Sequence, residues 1–169
     1  MHPNVWGVLR PMASSKRVRI FVETESGSNV RRVYDETTHE LLSTRRVVSP
    51  YPFPYGFILG TTTEDGSAVD CYVLTAKPIR SGSVVEGEPV GLVEQFEDGE
   101  VDHKVLAILP GDAPRIDADL HETLRSFTDA LFRPFPSVRV EVGRILGAHE
   151  ARVFITSHRA AGLGGGGST

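Results

Sequence analysis

Apolar and polar residues alternate along most of the chain, which predicts short β-strands separated by turns. Strands are expected at 16–22, 30–34, 41–48, 69–75, 84–96, 101–109 and 138–145. Clusters of small and polar residues predict turns at 25–29, 64–66, 81–83 and 97–99. The segment YPFPYGFI, at 51–58, has an aromatic residue at every second position but also two prolines. Because proline cannot donate to a strand ladder, we expect an extended, irregular segment there.

The pattern changes to a helical period near residue 117. Apolar residues at 120, 124, 127 and 131 follow at steps of four, three and four, which predicts an amphipathic helix over 117–133. Asp117 or Asp119 lies near its N-terminal cap, and Pro134 and Pro136 stop it. A terminal helix is expected over 148–158. Strands followed by helices in one short chain indicate an α+β fold, a small barrel of strands with helices on it.

The length of 169 residues indicates a single domain, which we place at 16–161. Residues 1–15 carry two prolines and no periodicity, so a loose N-terminal arm is expected. The segment GLGGGGST, at 162–169, has the composition of a flexible tail.

The charge of the chain excludes several kinds of partner. Its 18 Lys and Arg against 22 Asp and Glu give a net charge of −4, which argues against nucleic acid and anionic membrane surfaces. No apolar run reaches the ~18 residues of a membrane span, and no secretory signal is recognised, so a cytoplasmic protein is expected. The single cysteine, Cys71, excludes an intrachain disulfide and a cysteine-based zinc site.

Three aspartates around predicted strands are the first candidates for chemistry. Asp65 lies in a turn, Asp70 lies in the following strand between Val69 and Cys71, and Asp102 is two residues from Lys104. An inward carboxylate on a strand is costly unless a cation meets it, and that cation is either Lys104 or a divalent metal. Mg²⁺ prefers carboxylate oxygens from several segments. The alternative stays open that the turn is a solvated hairpin tip and the Asp102–Lys104 pair lies on the surface.

Four linked segments carry a resemblance to a known family. They are YPFPYGFI at 51–58, DGSAVD at 65–70, PVG at 89–91 and DHK at 102–104. This order resembles the soluble family I inorganic pyrophosphatases, whose pattern is approximately YPxNYG(Y/F)I, DGDPxD, PxG and DxK. The resemblance implies a five-stranded, OB-like β-barrel with flanking α-helices. It also implies hydrolysis of inorganic diphosphate to two phosphates with several Mg²⁺ ions, in a homo-oligomer that is commonly a hexamer in bacteria.

The resemblance also implies roles for residues of this chain. Asp70, Tyr55 and Lys104 would be catalytic. The remaining roles are metal binding by Asp65, Asp70, Asp102, Glu97 (or its neighbour Asp98) and Glu23, and phosphate binding by Tyr55, Lys104, Arg45, Arg133 and one of Arg31 and Arg32.

Departures from the family pattern fall on the predicted catalytic face. Ser67 stands where the family has the aspartate that deprotonates the attacking water, and Ala68 replaces a proline. Val33 replaces a glutamate and Pro54 an asparagine, and the segment 132–135 lacks the family's Tyr-Lys pair. Loss of a general base costs ~10²–10⁴-fold in rate. Three functions therefore stay open: a divergent diphosphatase, a hydrolase of an organic phosphate or diphosphate, and a non-catalytic phosphate-binding protein.

Overall fold

A computed structural model gives the structure of residues 17–159, so the predicted arm at 1–15 and tail at 162–169 lie outside the described residues. Within these residues the chain forms two helices, α1 (Ala118–Phe132) and α2 (Ala148–Ser157). The strands are β1 (Val18–Thr24), β2 (Val30–Tyr34), β3 (Leu41–Arg46), β4 (Tyr55–Ile58), β5 (Asp70–Val73), β6 (Val84–Glu97), β7 (Glu100–Val101), β8 (Lys104–Ile108) and β9 (Val140–Gly147). Neither helix is long and apolar enough to cross a membrane.

Five strands close into a ring in the order β1-β4-β5-β8-β6, because β6 pairs with β1 as well as with β8. Within the ring, β5 and β8 are parallel and the other four neighbours are antiparallel. The short β7 and the long β9 extend the sheet from β6. The ring with two helices confirms the predicted α+β fold and is consistent with an OB-like fold. Strands β2 and β3 form a separate two-stranded sheet, here called the β2–β3 hairpin.

Two strand predictions are wrong in part. The strand expected at 101–109 is broken, since Asp102 and His103 lie between β7 and β8. The His103 ring interrupts the ladder there, because its Nδ1 accepts the backbone N–H of Gln95 at 3.0 Å. The segment 51–58 is irregular only in its first half. The strand β4 begins directly after Pro54, so both prolines lie before the first residue of the strand.

Helix α1 forms as the periodicity predicts. The Asp117 side chain caps it by accepting the backbone N–H of Leu120 at 3.0 Å. Its apolar face buries Leu120, Leu124 and Phe127 against the sheet. The Phe127 ring lies 4.6 Å from the ring of Tyr51 between centroids, so this face of the helix fixes an aromatic cluster below the site described next.

Candidate active site

A cavity of about 760 Å³ lies where the ends of β1, β5 and β8 meet the β2–β3 hairpin and α1. Its walls bring together eight residues that the sequence singled out, although these are spread over more than eighty positions of the chain. The eight are Glu23, Arg31, Tyr55, Asp65, Asp70, Glu97, Asp102 and Lys104. Arg32, Arg45 and Arg133 are not among the lining residues.

Lys104 is the central group of the cavity. The parallel register of β5 and β8 places it directly beside Asp70. Its Nζ donates to Asp70 Oδ2 at 2.6 Å and to Asp102 Oδ2 at 3.0 Å, while the residue is only 6% exposed. Burial lowers the pKa of the ammonium, but Asp70, Tyr55 and Asp102 outweigh it and hold the pKa well above its usual value. Lys104 is therefore a permanent buried cation that draws two carboxylates together.

Asp65 is held by its own turn. Its Oδ1 accepts the Ser67 hydroxyl at 2.6 Å and the Ser67 backbone N–H at 3.0 Å, and it also accepts the Thr63 hydroxyl. Hydrogen bonds from Ser67 and Thr63 lower the pKa of Asp65 to about 2. Ser67 thus stabilises the anionic form of its neighbour.

Glu23 and Glu97, unlike Asp65, have raised pKa values. Glu23 lies at the end of β1, where its Oε2 accepts the backbone N–H of Tyr34 at 2.9 Å. Burial, helped by the charge of Asp70, raises the pKa of Glu23 to about 7. Burial and the charge of Asp102 also raise the pKa of Glu97. Asp98, the alternative to Glu97, turns away and accepts the backbone N–H of Arg139 at 2.9 Å.

Substitution of Glu23 by glutamine should remove part of the pH dependence of the free energy of unfolding. The pKa of this carboxyl is about 7 in the folded protein instead of 4.5. Its contribution to the free energy of unfolding is therefore fully present below pH 4.5 and is lost as pH rises through 7. We expect Glu23→Gln to exceed the wild type by ~2–3 kcal/mol in the free energy of unfolding at pH 8, and to match it near pH 4. Urea unfolding at both pH values measures this. Glu40→Gln, an exposed change, is the control, and equal curves for Glu23→Gln and wild type at pH 8 would contradict the expectation.

The strands of the β2–β3 hairpin place the candidate arginines Arg31 and Arg45 on one face and Arg32 on the other. Arg31 and Arg45 are directly paired across the two strands, so both project from one face of the hairpin. Arg31 lines the cavity, and the Arg45 guanidinium lies 4.8 Å from the ring centroid of Phe135, which also lines it. Arg32 is next to Arg31 in the strand and projects from the opposite face. Arg133 is an exposed residue at the C-terminal cap of α1.

The sequence analysis assigned no role to several residues of the cavity, among them Tyr51 and Glu36. Tyr51 is 1% exposed, and its hydroxyl has no hydrogen-bond partner among residues 17–159. Tyr51 is the first residue of the segment YPFPYGFI, so the resemblance could have identified it as a site residue. Glu36 lies in the turn of the β2–β3 hairpin and also lines the cavity. Nothing in its sequence surroundings distinguishes it from other turn glutamates.

The cavity has a surplus of negative charge. Its walls carry seven carboxyl groups against two cations, Arg31 and Lys104, which leaves five uncompensated negative charges when all are ionised. Carboxylate oxygens from several segments are the ligands that Mg²⁺ prefers. The donor set therefore fits divalent cations. In the described part of the chain no three metal-ligating side chains are already gathered around one point.

A second cavity, of about 750 Å³, adjoins the first. Asp65, Ser67, Asp70 and Asp102 line both cavities. Its far wall is aromatic: the Phe154 ring lies 5.5 Å from the ring of His103 and 4.5 Å from that of His158. This side of the site therefore offers a flat, weakly polar wall, unlike the cationic side that Arg31 provides.

The fold and the site together indicate a protein that binds a small polyanion together with cations. A closed ring of five strands presents carboxylates, a buried ammonium and an arginine hairpin around one cavity. Such a site suits a small polyanion only together with cations, since the walls alone would repel it.

Comparison with known proteins gives the family. The model of the inorganic pyrophosphatase family matches residues 20–156. The inorganic pyrophosphatase of Saccharolobus solfataricus is 35% identical over 94 residues, 54% of this chain and 54% of that protein. The chain therefore spans about half the length of such curated relatives. The chain belongs to the inorganic pyrophosphatase family, which confirms the resemblance seen in the sequence.

Solved structures show the same fold. The crystal structure of an inorganic phosphatase from Anaplasma phagocytophilum is 26% identical, with a TM-score of 0.74 over 85% of this chain and 91% of that chain. An inorganic pyrophosphatase from Neisseria gonorrhoeae, 22% identical, gives a TM-score of 0.77 over 86% and 90% of the two chains. The predicted pyrophosphatase fold is confirmed.

Proposed function

We propose that this protein hydrolyses inorganic diphosphate to two phosphates with Mg²⁺ as its metal. The observation that carries the proposal is the single cavity that gathers Asp65, Asp70, Asp102, Tyr55 and Lys104, the residues to which the resemblance gives metal and phosphate roles. Family membership supports the reaction.

Metal binding is proposed for the acidic side of the cavity. Asp65, Asp70, Asp102 and Glu97 would hold Mg²⁺, with Glu23 acting through bound water. When bound, Mg²⁺ supplies positive charge that neutralises phosphate oxygens and activates water. Burial raises the pKa values of Glu23 and Glu97, and the charges of Asp70 and Asp102 add to this, so a cation bound beside them would relieve that repulsion.

Substrate binding is proposed for the cationic side. Lys104 donates hydrogen bonds to phosphate oxygens from a fixed position, since two carboxylates restrain its ammonium. Arg31 and Arg45 grip the second phosphate from one face of the β2–β3 hairpin, as guanidinium groups suit phosphate. The buried hydroxyls of Tyr51 and Tyr55 favour the neutral phenol, because burial raises both pKa values. They act as hydrogen-bond donors to the same oxygens. Catalysis then consists mainly of positioning and charge neutralisation.

The proposal is tested by phosphate release from diphosphate over a range of Mg²⁺ concentrations. We expect clear turnover by the wild type, loss of turnover with a chelator, and a loss of ~10²-fold or more in Asp102→Ala. Asp129→Ala removes an exposed carboxylate of α1 and serves as the control. A wild type that releases no phosphate at any Mg²⁺ concentration would refute the proposal. If that protein still bound diphosphate, the non-catalytic alternative would replace it.

The second cavity favours one other candidate function, hydrolysis of an organic phosphate or diphosphate. Its aromatic wall, formed by Phe154, His103 and His158, leaves about 750 Å³ beside the shared aspartates for an organic substituent. Nucleotides, sugar phosphates and prenyl diphosphates assayed beside diphosphate separate the two candidates. Turnover of all of them below that of diphosphate would reject this one. A cytoplasmic location stays a prediction from the sequence, and a homo-oligomeric state stays a prediction from the family resemblance.

A further inference from the structure

The cavity needs a group that accepts the proton of the attacking water. Ser67 cannot be that group, because its hydroxyl donates to Asp65 at 2.6 Å and serine is neutral at ordinary pH. The turn at 63–67 therefore offers no base at the position where an aspartate would be expected.

The nearby aspartates are already engaged. Asp65 Oδ1 accepts three hydrogen bonds from Thr63 and Ser67, which favours its anionic form and makes it a weak base. Asp70 and Asp102 each share one oxygen with the Lys104 ammonium, at 2.6 Å and 3.0 Å. A carboxylate that already pairs with a permanent cation gains little by taking a proton.

Glu36 reaches this position from another part of the chain. Its Oε1 accepts the backbone N–H of Ala68 at 2.9 Å, so its carboxylate is anchored beside Ser67 although 32 residues separate the two partners. Its second oxygen has no hydrogen-bond partner among residues 17–159, and the side chain lines the same cavity as Asp65 and Asp70. Burial and the charges of Asp70 and Asp65 raise the pKa of Glu36, despite the hydrogen bond from Ala68. A carboxylate with a raised pKa is a stronger base than an ordinary one.

We propose that Glu36 is the general base of the hydrolysis, supplying from the hairpin turn the carboxylate that position 67 lacks. This inference rests on the proposed function. The water oxygen forms a bond to one phosphorus, and its proton goes to Glu36. The bond between that phosphorus and the bridging oxygen breaks, and its electron pair stays on the departing phosphate. Glu36 then returns the proton to a phosphate oxygen, so that one diphosphate and one water give two phosphates.

Glu23 is the main competing base, because burial raises the pKa of this cavity carboxyl to about 7. It differs from Glu36 in position: its anchor is the backbone of Tyr34, on the hairpin side of the cavity. Glu36 is anchored on the turn that carries Asp65 and Ser67. The two candidates therefore respond differently to a carboxylate introduced at position 67.

The test compares Glu36→Gln, Ser67→Asp and the double variant in the diphosphate assay. Glutamine keeps an oxygen that accepts the Ala68 N–H, so the turn is retained while the base is lost. We expect Glu36→Gln to lower kcat ~10²-fold with KM changed less than threefold. Adding Ser67→Asp to the Glu36→Gln variant should raise its kcat at least tenfold, because an aspartate at position 67 supplies a base to the same water. Glu40→Gln, on the same hairpin but away from the cavity lining, should behave as the wild type.

Several results would overturn the inference. An active wild type whose Glu36→Gln variant keeps its kcat would exclude Glu36 as the base, while the proposed function stands. A kcat loss that Ser67→Asp does not rescue would assign Glu36 a structural role, and a lowered melting temperature of Glu36→Gln would support that assignment. An inactive wild type would remove both the proposed function and the base, so the two failures are distinguishable.

Discussion

Replacement of Lys104 by methionine is expected to lower kcat/KM for diphosphate by ~10³-fold and to destabilise the fold by ~3 kcal/mol at pH 8. Methionine matches the length of the buried stem but removes the ammonium that Asp70 and Asp102 share at 2.6 Å and 3.0 Å. The two carboxylates then repel each other in a cavity that already carries surplus negative charge. Part of the loss is offset, because a buried ammonium is itself costly to desolvate.

Phosphate release and urea unfolding measure the two effects of Lys104→Met. Lys77→Met is the matched control, since the Lys77 side chain is 61% exposed and forms an ion pair with Asp112 at 3.5 Å. Exposed pairs contribute at most ~1 kcal/mol, so the control should keep both stability and activity. A Lys104→Met protein with wild-type stability would mean that Asp70 and Asp102 need no shared cation.

Replacement of Gly56 by alanine is expected to prevent folding, with a loss of more than ~4 kcal/mol. Gly56 lies in β4 between β1 and β5, paired with Val22 on one side and Cys71 on the other. A Cβ at this position would overlap the carbonyl oxygen of Phe21 and lie 2.8 Å from its carbonyl carbon. Both atoms belong to the backbone of the ring, so neither side can move without breaking a strand ladder.

Circular dichroism and the yield of folded protein test Gly56→Ala. Gly147→Ala is the control, because a Cβ there meets only the end of the flexible Glu150 side chain, at 3.2 Å. That control should lose less than ~1 kcal/mol. A folded Gly56→Ala protein with a normal melting temperature would show that the ring tolerates a wider spacing between β1 and β4.

The fold was predictable where a local pattern determines it. The helical period and the cap of α1 are local, and the structure has both. The closure of the ring by β1 and β6 depends on pairing between residues such as Val18 and Gly87, which no local pattern reveals. The strand β4 was missed because Pro52 and Pro54 obscured the four regular residues that follow them.

The site was predictable where a motif carries it. Asp65, Asp70, Asp102 and Lys104 could be singled out because they sit at fixed spacings within linked segments, and the structure brings all four to one cavity. Glu36 could not, because its contact with Ala68 joins a turn to a segment 32 positions away. The resemblance indicates what the family has at position 67. Only the three-dimensional structure identifies what stands beside that position in this chain.

The separate ladder of the β2–β3 hairpin has a consequence for engineering. Arg31, Arg45 and Glu36 all belong to this excursion, while the hydrogen bonds that close the ring belong to other strands. Grafting residues 30–46 of this chain onto another family member is therefore expected to transfer the proposed phosphate-binding arginines and the proposed base together. Selection for new substrates can therefore begin with a library confined to these seventeen positions, leaving the scaffold sequence constant.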